Sequence, residues 1–310
     1  MQRSNVTRDD GAWMGLSLDL QDRHLPGLCV LSAGSQLLVF QQSRPVLLAD
    51  VDGHFQGVDF RRTDEYRSCI PSLRADVARG LAGSPERWAH RLAQHLIDSS
   101  GSPLHEGRWM LSARSPLRRR HHADASTAEY WSSMLVEGHP HGYIDWFVHS
   151  GSWEVLPLRP VPDPGDSRVK AYRKQAREGV LPPVLLWWVS GLDCHLILDG
   201  HARLAAAIAE SVEPPLLHLH RSVPRADLAL RIDDAVGFYG RELARFAELR
   251  AVQGPAVPDG ATIAGSQLAR RLRGLDTTAQ PTWAWPLPGG QAQWRRIARE
   301  VTSGQDWPRS

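Results

Sequence analysis

The chain has almost no lysine: of its 36 Lys and Arg residues only Lys170 and Lys174 are lysine. Schiff-base chemistry, which needs a lysine amine, has little support, and the arginine skew is that of a GC-rich bacterial genome. Cysteine is equally scarce. Cys29, Cys69 and Cys194 lie far apart with no C-x-x-C pair, which supports neither a zinc ribbon nor a disulfide scaffold and fits a reducing cytosol. Neither sign of charge dominates. With 36 Lys+Arg against 34 Asp+Glu the formal charge is +2, far from the basic excess of an obligate nucleic-acid binder. Long apolar runs are missing too. None is longer than Val184 to Val189, which is too short to span a bilayer, and Met1 to Ala12 carries Arg3, Arg8, Asp9 and Asp10 without an apolar h-region. The expectation is a cytoplasmic protein with no membrane partner. No fixed-period repeat and no G-x-S-x-G nucleophile elbow occur.

What is present is length and apolar content. At 310 residues and 42% hydrophobic, the chain buries a sizeable core, and at roughly 100 to 200 residues per domain it holds two or three. Runs at Leu28–Leu31, Leu37–Phe40, Val46–Ala49 and Phe55–Phe60, separated by Gly34, Pro45 and Asp52-Gly53, predict a small antiparallel meander. Ser84-Pro85 followed by Trp88, Leu92 and Leu96 predicts an amphipathic helix ending near Ser99. The stretch with Arg118, Arg119, Arg120, His121 and His122 suits a solvated loop better than a polyanion site. Tyr130, Trp131, Tyr143 and Trp146 are expected in the core.

Residues 151–222 alternate most clearly. A strand from Trp153 to Leu158, a helix from Asp166 to Glu178 stopped by Gly179, strands Val184–Val189 and His195–Leu198, a helix Gly200–Glu210 and a strand Leu216–His220 follow in order. A long helix then runs through Leu228, Ile232, Val236, Tyr239, Leu243 and Phe246, with a break expected at Gly237 and Gly240. Helical pieces among Pro- and Gly-rich stretches complete the tail.

The most informative stretch is His195-Leu-Ile-Leu-Asp199-Gly200-His201-Ala202-Arg203. A strand runs directly into an alanine-rich helix, whose first backbone N–H groups have no intrahelical acceptor. Such an end attracts anions. Gly200 lets a ligand approach the backbone, Arg203 adds a two-pronged guanidinium, and His201 is a second donor or a proton carrier. Asp199 is either an N-cap or a metal-side ligand, since a carboxylate repels phosphate directly.

Leu198-Asp-Gly-His-Ala-Arg-Leu-Ala-Ala-Ala resembles the signature turn of the ParB/sulfiredoxin-like superfamily. The flanks Val155-Leu-Pro-Leu-Arg159, Arg168, Glu178-Gly-Val-Leu-Pro-Pro183 and Val184–Val189 are similar to that family in order and spacing. The likeness covers about 70 of 310 residues. It implies an α+β fold: a ParB/sulfiredoxin-like nucleotide-binding domain over 151–222, an N-terminal mixed α/β domain with an antiparallel meander over 1–150, and a mainly helical region over 223–310. It also implies a bound nucleotide (ATP, ADP or CTP) with Mg²⁺, held by Asp199, Gly200, His201 and Arg203. The turn is closest to the free-serine kinase branch, differing at Ala202. Sulfiredoxins place a reactive cysteine where this chain has His201. The second motif and helix-turn-helix of the partition proteins have no counterpart after Arg221; Gly265–Arg273 is one helix without a recognition partner.

Two functions follow as expectations. One is a nucleotide-dependent phosphotransferase acting on a small molecule, with Glu154 or Asp163 as the catalytic carboxylate and His201 beside them. The other is a nucleotide-responsive DNA-associated or protein-interaction module without turnover. His218 and His220 lie two apart on one strand face and with His195 or His201 form a candidate metal set, though an exposed strand face is the preferred expectation. Lys170, Arg173, Lys174 and Arg177 form a basic stripe next to the turn.

Overall fold

The computed structural model describes residues 1–8, 10–52, 57–113, 126–136, 138–146, 154–275, 279–303 and 307. The Arg118–His122 stretch and Trp153 lie outside the described residues. In chain order the strands and helices are β1 (Gln2–Thr7), β2 (Trp13–Leu20), β3 (Leu28–Ala33), β4 (Gln36–Gln41), β5 (Arg44–Asp52), β6 (Gly57–Arg62), α1 (Ala75–Leu81), α2 (Pro85–Asp98), β7 (Gly107–Ser112), α3 (Thr127–Met134), β8 (His141–Asp145), β9 (Val155–Pro157), α4 (Ser167–Arg177), β10 (Val184–Val189), β11 (Cys194–Asp199), α5 (His201–Ala209), β12 (Leu216–Ser222), α6 (Arg225–Gln253), α7 (Gly260–Leu275), β13 (Ala279–Gln280), β14 (Ala284–Pro286) and α8 (Gly290–Val301). The class is α+β.

Residues 1–220 and 281–310 make one compact unit and residues 221–280 another. In the first unit, one sheet has the order β1-β2-β7-β12-β10-β11-β9 and a second has the order β14-β3-β4-β5-β6-β8. The expected meander is β3 to β6, each strand antiparallel to the next. The division drawn at 150/151 falls inside the first sheet, because β1, β2 and β7 continue it beyond β12. Residues 281–310 belong with the same unit: β14 pairs in parallel with β3, and Trp294 of α8 packs on Leu38 and Leu48.

Period-two alternation sets the layers. Leu185, Trp187 and Val189 of β10 and Leu196 and Leu198 of β11 join the main core with β2, β3 and β4 side chains. Val184, Leu186 and Ile197 point the other way, onto Tyr130, Trp131 and Met134 of α3 and Leu204 of α5. The helix α2 starts as its sequence predicts: the Ser84 hydroxyl accepts the Arg87 N–H, Pro85 is the first residue, and Trp88, Leu92 and Leu96 are buried. A capping box of Ser126 and Glu129 starts α3.

In the second unit α6 runs unbroken for 29 residues, so the expected break at Gly237 and Gly240 does not occur. The two glycines weaken the helix without removing any hydrogen bond from it, unlike proline. Arg221 and Ser222 pair with Gln280 and Ala279. Among the described residues no helix is long and apolar enough to cross a membrane.

Candidate functional site

The Asp-Gly-His-Ala-Arg turn joins β11 to α5 with backbone geometry that only glycine adopts readily. Gly200 has φ 108°, and a Cβ there would lie 2.8 Å from Arg203 Nη2 and 3.1 Å from Val184 Cα. Gly200 itself is the N-cap, with no side chain capping the helix. Asp199 is therefore not the cap. Alternation puts it on the helix-facing side of β11, where Oδ2 accepts from Arg203 Nη2 at 2.6 Å and Oδ1 accepts from Ser68 Oγ at 2.9 Å. Each Asp199 oxygen thus already accepts one hydrogen bond. Among the described residues no group of three His, Cys, Asp or Glu side chains could hold a metal ion.

The N–H groups of Arg203 and Leu204 both return to the Gly200 carbonyl, at 2.9 and 2.8 Å. The amides of His201 and Ala202 lie before that first helical bond, where an α-helix supplies no acceptor. The alanines of α5 let it sit close to α4: Ala202, Ala205 and Ala206 pack on Val169, Tyr172 and Ala176. This packing sets the N-termini of α4 and α5 beside one cavity. Its volume is about 350 Å³, and its walls include Arg159, Asp166, Arg168, Tyr172, His201 and Arg203. Asp166 Oδ1 caps α4 by accepting from the Arg168 and Val169 N–H groups.

His201 is 3% exposed. Burial, helped by the charges of Arg159, Arg203 and Arg62, pushes its pKa down to about 3, so the ring is neutral near pH 7. Its Nε2 accepts the backbone N–H of Arg159 at 3.4 Å. The ring proton therefore resides on Nδ1, and Nδ1 has no hydrogen-bond partner. This corrects the expectation of a proton carrier: His201 is a fixed neutral donor. Arg203 Nε is likewise buried without a partner.

Glu154 and Asp163 are not part of this cavity. The Glu154 carbonyl accepts the His195 N–H at the start of β11, four residues, or about 13 Å of strand, from Asp199. Burial and the nearby Asp145 raise the Glu154 pKa to about 7. Asp163 is exposed in the β9–α4 connection, where its side chain accepts the Gly165 N–H. The acidic residues that do line the cavity are Asp166 and Asp199.

His218 and His220 are buried, at 2% and 9% exposure, rather than on an exposed face. The rings of His195 and His218 stand edge to face, 5.2 Å apart. The basic stripe on α4 is partly neutralised, since Arg173 and Arg177 converge on Glu210. A larger cavity of about 430 Å³ beside Trp88, Leu181, Pro183, Pro214 and Leu217 is mainly apolar and lacks convergent cationic groups.

Tyr66 and Ser68 reach the turn from another part of the chain. Tyr66 donates to the Leu198 carbonyl at 2.6 Å across 132 positions of sequence, and the Ser68 bond to Asp199 spans 131. Nothing in their local sequence marks them. Comparison with protein-family models, curated proteins and solved structures finds no match to this chain.

Proposed function

We propose that the chain binds a phosphorylated small molecule of the nucleotide class, with its phosphate at the start of α5. The observation that carries this reading is the Nδ1–H of His201, a buried donor without an acceptor, on a residue lining a cavity that Arg159, Arg168 and Arg203 also line. A buried unsatisfied donor costs about 1–3 kcal/mol, and an anionic oxygen removes that cost. The helix end contributes about half a positive charge to the same place. The volume is at the low end of the range for small-molecule pockets, roughly 300–1,000 Å³. The resemblance of Leu198–Ala207 to the ParB/sulfiredoxin-like turn supports the same reading.

Binding without turnover is favoured over phosphoryl transfer. Phosphoryl transfer needs a carboxylate that orients the acceptor, and the two named candidates, Glu154 and Asp163, do not line the cavity. Asp166 and Asp199 do, but Asp166 Oδ1 is held by the first amides of α4 and the Asp199 oxygens by Arg203 and Ser68.

Isothermal titration with ATP, ADP and CTP, with and without Mg²⁺, tests the reading, which predicts saturable binding of at least one of them. Arg168 is exposed, so Arg168→Ala leaves the fold intact and removes a charged donor. Affinity falls by about 10- to 100-fold, the equivalent of one charge-assisted hydrogen bond. Absence of binding by all three nucleotides, or unchanged affinity in the variant, overturns the proposal.

A further inference from the structure

We infer that Ser68 is a positioning residue for this pocket: through Asp199 it sets the direction of the Arg203 guanidinium. The inference deepens the nucleotide-binding reading and relies on it only for the consequence in affinity.

Asp199 has two carboxylate oxygens and two different donors. Oδ2 takes Arg203 Nη2 and Oδ1 takes Ser68 Oγ. The Ser68 hydroxyl has one proton, and the Ile70 carbonyl at 3.1 Å competes for it. The carboxylate is the stronger acceptor, because a charge-assisted bond is about twice as strong as a neutral one. The Ile70 N–H, 3.2 Å from Ser68 Oγ, donates to that oxygen and takes one of its lone pairs.

A carboxylate held at one oxygen only can rotate about its Cβ–Cγ bond, a torsion with a broad, roughly two-fold profile. Held at both, it has one orientation, and so does the guanidinium hydrogen-bonded to it. Arg203 is thereby kept with Nη2 on Asp199 and Nε without a partner.

The same loop makes three more contacts. Tyr66 OH donates to the Leu198 carbonyl, one residue before Asp199, and its ring centroid lies 6.5 Å from that of His201. Arg168, a residue of the cavity wall, reaches the Ser72 hydroxyl at 3.4 Å. Residues 66–72, between β6 and α1, thus touch the turn, the Arg203 counter-ion and the α4 side of the pocket. Ser68 is the member of the loop that acts on Arg203, through its counter-ion Asp199.

The test is a double-mutant cycle on the full chain, with ADP as probe. Ser68→Ala lowers ADP affinity roughly tenfold, within the range of coupling between hydrogen-bonded neighbours. In an Arg203→Lys background, where the fork geometry is already lost, Ser68→Ala changes affinity little. Ser68→Thr, which keeps the hydroxyl, restores binding. An equal loss in both backgrounds, or none in either, overturns the inference, since a general structural weakening gives additive effects.

A ligand-free measurement separates this from the binding proposal. The Arg203 Nε–H signal in NMR, assigned by its loss in Arg203→Lys, shifts or exchanges faster with water in Ser68→Ala. If that signal is unaltered, Ser68 does not set the guanidinium, whether or not ADP binds. If it changes while none of ATP, ADP and CTP binds either protein, the nucleotide reading alone falls.

Discussion

Arg203 and Asp199 are a pair whose value depends on both members. Their side chains are 3% and 11% exposed, and the bond between them is 2.6 Å long. Removing one partner of such a pair leaves a buried charge uncompensated, at about 3–5 kcal/mol, whereas replacing both with apolar groups is far less costly. Asp199→Ala is thus expected to destabilise by that amount in urea denaturation, and Asp199→Ala with Arg203→Met to recover most of the loss. A single variant as stable as the parent would show that the pair does not support the fold. The ion pair also explains why Asp199 looks ambiguous in sequence. A carboxylate before a helix suits a cap, but an arginine four positions on competes for it, and here the charged donor wins over the helix amides.

At the scale of elements, local signals decide most of the outcome. Pro85 after Ser84, Gly179 after α4 and the alanines of α5 act within one turn or one helical face, and the corresponding helices form with ends close to those expected. The exception is α6, where the expected break is absent. A Cβ at Gly240 would meet no atom within 4 Å, and at Gly237 only Arg241 Nη1 at 3.5 Å. Gly237→Ala and Gly240→Ala are each expected to raise stability by up to about 1 kcal/mol, through helix propensity and a less flexible unfolded chain. The denaturation midpoint checks this. A decrease would mean that these glycines make a close approach the isolated chain does not show.

For the whole molecule, pH dependence follows from histidines buried without charge. Burial drives His218 well below its usual value, with His195 and His220 adding to the effect, and drives His201 to about 3. The unfolded chain protonates both near pH 6.5, while the folded chain does not, so stability present above 6.5 is lost as pH falls below it. Each group contributes a slope of up to about 1.4 kcal/mol per pH unit. Glu154, raised from 4.5 to about 7, acts in the opposite direction: its contribution is full below 4.5 and is lost as pH rises to about 7. It is only half-buried, and solvent screening weakens its contribution. Two fully buried imidazoles therefore outweigh it, and stability measured by urea unfolding is expected to fall from pH 7.5 to 5.5. A flat or rising profile would show that the imidazoles find a proton acceptor when charged.

The α+β class, the meander, the order β9-α4-β10-β11-α5-β12 and the placement of Gly200, His201 and Arg203 at a helix start were legible in the sequence by itself, because periodicity, Gly and Pro act over a few residues. Tertiary structure alone decided that β1, β2 and β7 extend the same sheet, that Asp199 pairs with Arg203 rather than capping α5, and that Glu154 stays at the far end of β11. It alone brought Tyr66 and Ser68 to the turn. Those outcomes depend on contacts between residues up to 132 positions apart, and the cost of closing such loops is repaid only by burial of the whole core.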